Sequence, residues 1–150
     1  MNIGKYCTRN VITADKDSNV IEASKLMRKY HVGSLIVVSN DSDGLRPVGI
    51  LTDRDIVIEI LAEEVPIESV SVRDIMSRSP VIAREDDDIF MTMETMRVKG
   101  IRRLPVVDSL GILVGVLTTD DLLGVIYEEM GNIVSLISRE QLQEYKKHTG

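Results

Sequence analysis

The sequence predicts an α+β fold built from two copies of a β-α-β-β-α unit, followed by a helical C-terminal extension. Three observations carry this expectation. Residues 7–38 align without a gap on residues 76–107, an offset of 69, with identical pairs that include Arg9/Arg78, Ala14/Ala83, Asp17/Asp86, Met27/Met96, Leu35/Leu104 and Val38/Val107. After a loop three residues shorter in the second copy, register resumes at an offset of 66, where "VGILTDRDI" (48–56) matches "VGVLTTDDL" (114–122). Within each copy, short β-branched runs alternate with segments of helical periodicity. Chance does not hold register across two blocks so far apart, so the chain is an internal duplication.

Each element follows from the local pattern. A short β run ("NVIT", "PVIA") leads into an acidic turn ("DKDSN", "EDDD") that can cap a helix. Val20, Ala23, Met27 and Tyr30 then recur at helical spacing, as do Ile89, Met93 and Met96 in the second copy, with Ile101 beyond them. Two β-branched runs follow, "LIVV" with "PVGIL" and "LPVV" with "LVGVL", split by the turn sequences "NDSDGLR" and "DSLG". Each copy then enters a second helix, "DRDIVIEILAEE" or "DDLLGVIYEEM". The linker "VPIESVS" leads to a helical turn at "VRDIM", whose counterpart before the first copy is "IGKYC". The repeats therefore span 5–65 and 72–130, and 131–150 is a helical tail with Ile133, Leu136, Ile137 and Leu142 along one side. Strands this few and short do not stand alone, so the halves are expected to pack their open sheet faces together.

Composition excludes several functions. A chain of 150 residues with 43% hydrophobic and 28% charged residues can bury a cooperative core. Its longest apolar runs fall far short of the roughly 18 residues that a membrane span needs. No basic segment with a following apolar stretch opens the chain, so a cytoplasmic protein is expected. A net charge of −6 argues against duplex nucleic acid, and 3% aromatics with no Trp argues against base-stacking platforms. One cysteine and two histidines assemble neither a disulfide nor a zinc site, and no catalytic constellation is present.

The duplicated Gly-x-Leu-Thr-x-x-Asp motif, with "RRLPVVD" before its second copy, resembles the tandem cystathionine-β-synthase (CBS) domain pair, or Bateman module. The resemblance covers about residues 5–130. It implies a disc-like, pseudo-twofold pair with two clefts that bind adenosine compounds (AMP, ADP, ATP or S-adenosylmethionine) and relay ligand state to an effector protein. The chain carries Asn19 and Asp88 where many members have Pro, has no room for a catalytic domain, and holds the Arg pair only in its second copy.

The motif has a physical reading of its own. Thr52 and Asp55, like Thr118 and Asp121, fall where a strand ends and a helix begins. Backbone N–H groups and a hydroxyl there suit a phosphate, and a carboxylate one turn in can accept both ribose hydroxyls. Gly49 and Gly115 admit close approach of backbone or ligand. The same Thr–x–x–Asp spacing is also a plain helix cap. Arg102 and Arg103 replace Gly33 and Ser34 of the first copy, and guanidinium groups bind phosphate in a bidentate manner. With the pseudo-twofold arrangement that the resemblance implies, one cleft uses Thr118, Asp121 and Arg103, with Cys7, Ile12, Val32 and Gly33 around the base. The other uses Thr52, Asp55 and Arg54, with Met76, Val81 and Ile101 around the base. The first is expected to bear the phosphate.

The expected function is a stand-alone regulator that senses an adenine nucleotide, with no prosthetic group. The alternatives are a dimerisation module with empty clefts, or a binder of S-adenosylmethionine or NADH. The remaining singular residues read as structural. Cys7 packs in the cleft wall, His31 ends a helix, Met91, Met93 and Met96 belong to core and subunit interface, and "REDDD" is a solvated helix start without metal. Helices apolar around much of their circumference, at 56–61 and 122–127, point to a homodimer. The competing cover for those helices is the tail, folded back on its own chain.

Overall fold

The computed structural model describes residues 1–149. In the first repeat, β1 (Thr13–Asp15) runs parallel to β2 (Ser34–Asp41), which pairs antiparallel with β3 (Gly44–Thr52). Helix α1 (Val20–Tyr30) connects β1 to β2, and α2 (Asp53–Ile56) follows β3. After a short helical turn, α3 (Val72–Ile75), the two-residue strand β4 (Ser77–Arg78) closes this sheet against β3. The second repeat repeats the plan with β5 (Ala83–Arg84), α4 (Ile89–Lys99), β6 (Arg103–Val107) and β7 (Leu113–Thr118), then enters α5 (Thr119–Thr149).

The duplication extends to backbone detail. Asn19 and Asp88 cap the starts of α1 and α4, accepting from Ile21 N–H at 2.6 Å and from Phe90 N–H at 3.1 Å. Both helices end on a left-handed residue, Gly100 (φ 65°) and its counterpart His31 (φ 53°). Both hairpins shift register at the same place, Val37/Val38 and Val106/Val107.

The lead-in to each repeat is exchanged. Ile3 and Gly4 N–H donate to the carbonyls of Asp87 and Glu85 at 3.0 and 2.8 Å, and Ile89 N–H donates to Met1. At the matching positions Val72 and Arg73 N–H donate to Ser18 and Lys16 at 2.9 and 3.0 Å, and Val20 N–H donates to Val70. The cores follow the exchange. Ile3 and Cys7 are buried with Ile89, Leu104 and Leu117 of the second repeat, while Val72 is buried with Leu35, Val37 and Leu51 of the first. Each half thus supplies part of the other's core, which welds the two into one module.

The second helices differ between the copies. After α2 the backbone widens into a π-helical stretch, Val57–Leu61, where Ala62 N–H donates to Val57 at 2.8 Å. The widening coincides with a run of β-branched residues that crowd an ordinary α-turn. The chain then turns at Glu64 (φ 55°). The counterpart α5 instead runs unbroken for 31 residues, with only Leu122 and Val125 buried. The tail does not fold back over its own chain. Ile133, Leu136 and Ile137 are exposed. No helix among the described residues is long and apolar enough to cross a membrane.

Candidate functional site

A cleft of about 210 Å³ opens between the repeats. Residues from the first repeat, Ile12, Val32, Ser34 and Ile36, face Arg103, Val116 and Thr118 from the second, with Thr8, Asn10 and Val11 of the lead-in along one side. Valine and isoleucine form an apolar wall, and hydroxyl, amide and guanidinium groups supply donors around it. This is the composition of a small-molecule site, though its volume lies below the ~300 Å³ at which such sites usually begin.

Four residues expected at the phosphate-bearing cleft line it: Thr118, Arg103, Ile12 and Val32. Asp121 sits at its edge. Thr118 N–H and Oγ1 donate to Asp121 Oδ2 at 2.9 and 3.0 Å, and Asp121 N–H returns a bond to Thr118 Oγ1 at 3.2 Å. The other carboxylate oxygen, Oδ1, accepts from Thr8 Oγ1 at 3.2 Å. The motif is therefore a capping box whose acid also ties down the lead-in. Arg103 Nη1 donates to Ser34 Oγ, joining the two repeats through a half-buried guanidinium. Among the described residues, it is the one cationic side chain lining this cleft.

Cys7 and Gly33 stand elsewhere. Cys7 is buried in the second core, behind Gly115, and burial pushes its thiol above the usual cysteine range. Gly33 lies against the carboxylate of Asp53, and its carbonyl accepts from Asp53 N–H at 2.9 Å. Arg102 does the same at the matching position, its carbonyl accepting from Thr119 N–H at 2.9 Å while its side chain is exposed. These two positions hold the motif helices through their backbones.

The first-repeat motif has the same cap. Thr52 N–H donates to Asp55 Oδ2 at 2.9 Å and Asp55 N–H donates to Thr52 Oγ1 at 3.1 Å. Arg54 is exposed beside it. Met76 packs under Gly49 in the first core, Ile101 packs against the second core, and Val81 lines a separate groove between β5 and α4. Among the described residues, no group of three or more His, Cys, Asp or Glu side chains is placed to hold a metal ion.

Thr8, Asn10, Val11, Ser34, Ile36 and Val116 were not anticipated. Ser34 carried a signal, because it is the counterpart of Arg103. Thr8, Asn10 and Val11 carried little, since their place depends on the exchanged lead-in.

The glycines of the motif serve the chain's own packing. A Cβ on Gly115 would lie 2.6 Å from Cys7 Sγ and 2.9 Å from the Thr8 carbonyl. On Gly49 it would lie 2.6 Å from Met76 Sδ and 2.7 Å from the Ser77 carbonyl. Both strands need glycine because the exchanged lead-in crosses directly over them.

Comparison with known proteins agrees with this architecture. The CBS domain family matches residues 3–62 and 72–128. An uncharacterized protein of Methanopyrus kandleri is 37% identical over 125 residues, covering 83% of this chain and 62% of that protein. The inosine-5'-monophosphate dehydrogenase of Methanocaldococcus jannaschii is 33% identical over 115 residues, covering 77% of this chain and 21% of the enzyme. The chain thus spans less than two thirds of either relative. Among solved structures, a signal-transduction protein with CBS domains from Burkholderia ambifaria superposes with a TM-score of 0.71 at 26% identity, covering 84% of this chain and 93% of that one. A CBS domain pair in complex with 5'-methylthioadenosine and S-adenosyl-L-methionine superposes with a TM-score of 0.69 at 28% identity, covering 84% and 99%. The chain belongs to the CBS domain family and forms a tandem CBS pair, or Bateman module.

Proposed function

We propose that this chain is a non-catalytic cytoplasmic regulator that binds an adenine nucleotide between its repeats and passes the ligand state to a partner protein, working as a homodimer. The observation that carries this reading is the inter-repeat cleft, where Arg103, Ser34, Thr8 and Thr118 face an apolar wall of Ile12, Val32 and Ile36. A flat base suits the wall, and a phosphate suits the guanidinium. The solved CBS pair carrying 5'-methylthioadenosine and S-adenosyl-L-methionine supports the ligand class. Residues Thr52, Asp55, Arg54, Met76, Val81 and Ile101 are proposed for the second cleft.

A second reading has its own observation. Asp121 and Asp55 are already satisfied as helix caps, as expected of a dimerisation module with empty clefts. A thermal-shift panel of AMP, ADP, ATP, NADH and S-adenosylmethionine separates the two. A ligand of the native state at a hundredfold excess over its Kd adds about 2.7 kcal/mol of stability. A melting temperature unmoved by every compound favours the empty module.

A further inference from the structure

Helix α5 outruns the module it leaves. Leu122 and Val125 are buried near its start, and from Met130 to Thr149 every residue is exposed. Helices owe most of their stability to a packed apolar face, and the free part of α5 carries such a face unpacked. Ile126, Met130, Ile133 and Ile137 follow one another at intervals of four, three and four, the spacing of a coiled-coil seam, with Tyr127 and Val134 along one flank. All six are exposed. The intervals read the same from either end, about a centre between Gly131 and Asn132. The charges do not. Up to Gly131 the helix carries Asp120, Asp121, Glu128 and Glu129 and no cation, whereas beyond it Arg139, Lys146 and Lys147 accompany Glu140 and Glu144. Those last two glutamates continue the seam's own spacing.

We infer that the cover for this face is α5 of a second copy of the chain, running antiparallel and centred between Gly131 and Asn132. The inference rests on the homodimer reading above and adds the surface and its direction. Paired this way, Ile126 meets Ile137 of the second copy, Met130 meets Ile133, and Tyr127 lies beside Val134, each contact made twice as a twofold axis requires. The acidic half of each helix lies beside the half that holds all of its Lys and Arg side chains. Glu140 and Glu144 pass beyond the second copy's seam to its first turns, where Asp120 and Leu123 are exposed and leave the approach open. A parallel pair fills the same seam but sets four carboxylates against the same four, and Glu140 and Glu144 against their own copies. Like charges at short range repel.

A nitroxide on Leu142→Cys, in the full chain with Cys7→Ala, reads the direction by pulsed electron resonance. In the antiparallel pair Leu142 stands level with Asp121 of the second copy, so the two labels are expected about 32 Å apart. A parallel pair brings them within about 20 Å. Glu128→Lys combined with Glu129→Lys tests the charges without labels. These lysines face the cationic half, so the dimer Kd from sedimentation at low ionic strength should rise at least about threefold. In a parallel pair the same change relieves repulsion and the Kd falls. A dimer whose labels lie outside roughly 27–40 Å overturns the antiparallel seam and leaves the homodimer reading standing. So does a Kd that falls or stays unchanged in the lysine variant. An unmodified chain that sediments as a monomer at micromolar concentration overturns the homodimer itself, and this inference with it.

Discussion

Thr8 and Asp121, 113 residues apart, meet at the mouth of the inter-repeat cleft, the Thr8 hydroxyl donating to Asp121 Oδ1 at 3.2 Å. This bond fills the carboxylate oxygen that the Thr118 cap leaves open. On the nucleotide reading proposed above, a ribose hydroxyl seeking Asp121 Oδ1 competes with the Thr8 hydroxyl, while the lead-in stays paired to β7 through Thr8 and Val116 N–H, each donating to the other's carbonyl at 2.9 Å.

Thr8→Val removes the competitor while keeping the side-chain volume. A net hydrogen bond is worth about 1 kcal/mol, so ligands with ribose hydroxyls should bind roughly fivefold tighter to the variant. Calorimetry with adenosine and with 2',3'-dideoxyadenosine checks this. The gain should be confined to adenosine, and an equal gain for both compounds refutes the competition.

Gly115→Ala and Gly49→Ala should each destabilise the module. The new methyl group meets a carbonyl oxygen of the exchanged lead-in at 2.9 or 2.7 Å, and backbone does not yield as a flexible side chain does. Overpacking of this kind costs about 1–3 kcal/mol, read as a lowered midpoint in urea. A midpoint within error of the unmodified chain would show that the lead-ins are not held against these strands.

His31 and Gly100 close equivalent helices in the same left-handed conformation, yet only Gly100 lacks a Cβ. The left-handed region costs an ordinary residue about 1–2 kcal/mol, part of which glycine returns through its greater unfolded-state freedom. His31→Gly is therefore expected to raise stability by up to about 1 kcal/mol. An unchanged or lowered denaturation midpoint would contradict it.

The element order, the helix caps and both motif helices were legible because each is a local pattern stated twice. Asn19 and Asp88 could be read as helix starts without any tertiary information. Thr118, Arg103, Ile12 and Val32 emerged from the motif and the copy alignment together. The exchange of lead-ins did not. Nothing in the local pattern says into which half Ile3 and Val72 pack, and the carbonyls their N–H groups reach lie 84 and 54 residues away in the chain. The placement of Cys7 and Met76 behind glycines follows from that exchange and was hidden with it. The shift to a π-helix after α2 was likewise unreadable, since β-branched crowding is compatible with a strained α-turn.

Acid should weaken the module through carboxylates that hold turns in place. Backbone and hydroxyl donors at Ser71 keep Asp74 below its ordinary carboxylate range, and N–H groups at the start of α4 do the same for Asp88. A depressed folded-state pKa contributes stability that is present above the unfolded value and lost as pH falls through the folded one. The melting temperature should therefore fall below about pH 4, and Asp74→Asn should show a shallower fall. An unchanged acid profile in the variant would remove Asp74 from this account.

The exposed face of α5 points to a second copy of the chain. Leu123, Ile126, Tyr127, Met130, Ile133, Val134 and Ile137 recur every three or four residues along one side of a helix about 46 Å long, and all are exposed. Val57, Leu61 and Val65 leave a comparable apolar groove of about 530 Å³ beside the π-helical stretch. Apolar surface on this scale does not stay in water, and its own chain does not cover it. Closed twofold pairing is the commonest way to do so. Light scattering on the full chain should give a dimer at micromolar concentration. Ile133→Glu combined with Ile137→Glu should yield a monomer if the helices pair along the tail. Val57→Glu combined with Leu61→Glu should do so if the groove beside α2 carries the contact. A full-length chain that is monomeric at that concentration refutes the dimer, and dissociation in one double variant but not the other assigns the interface.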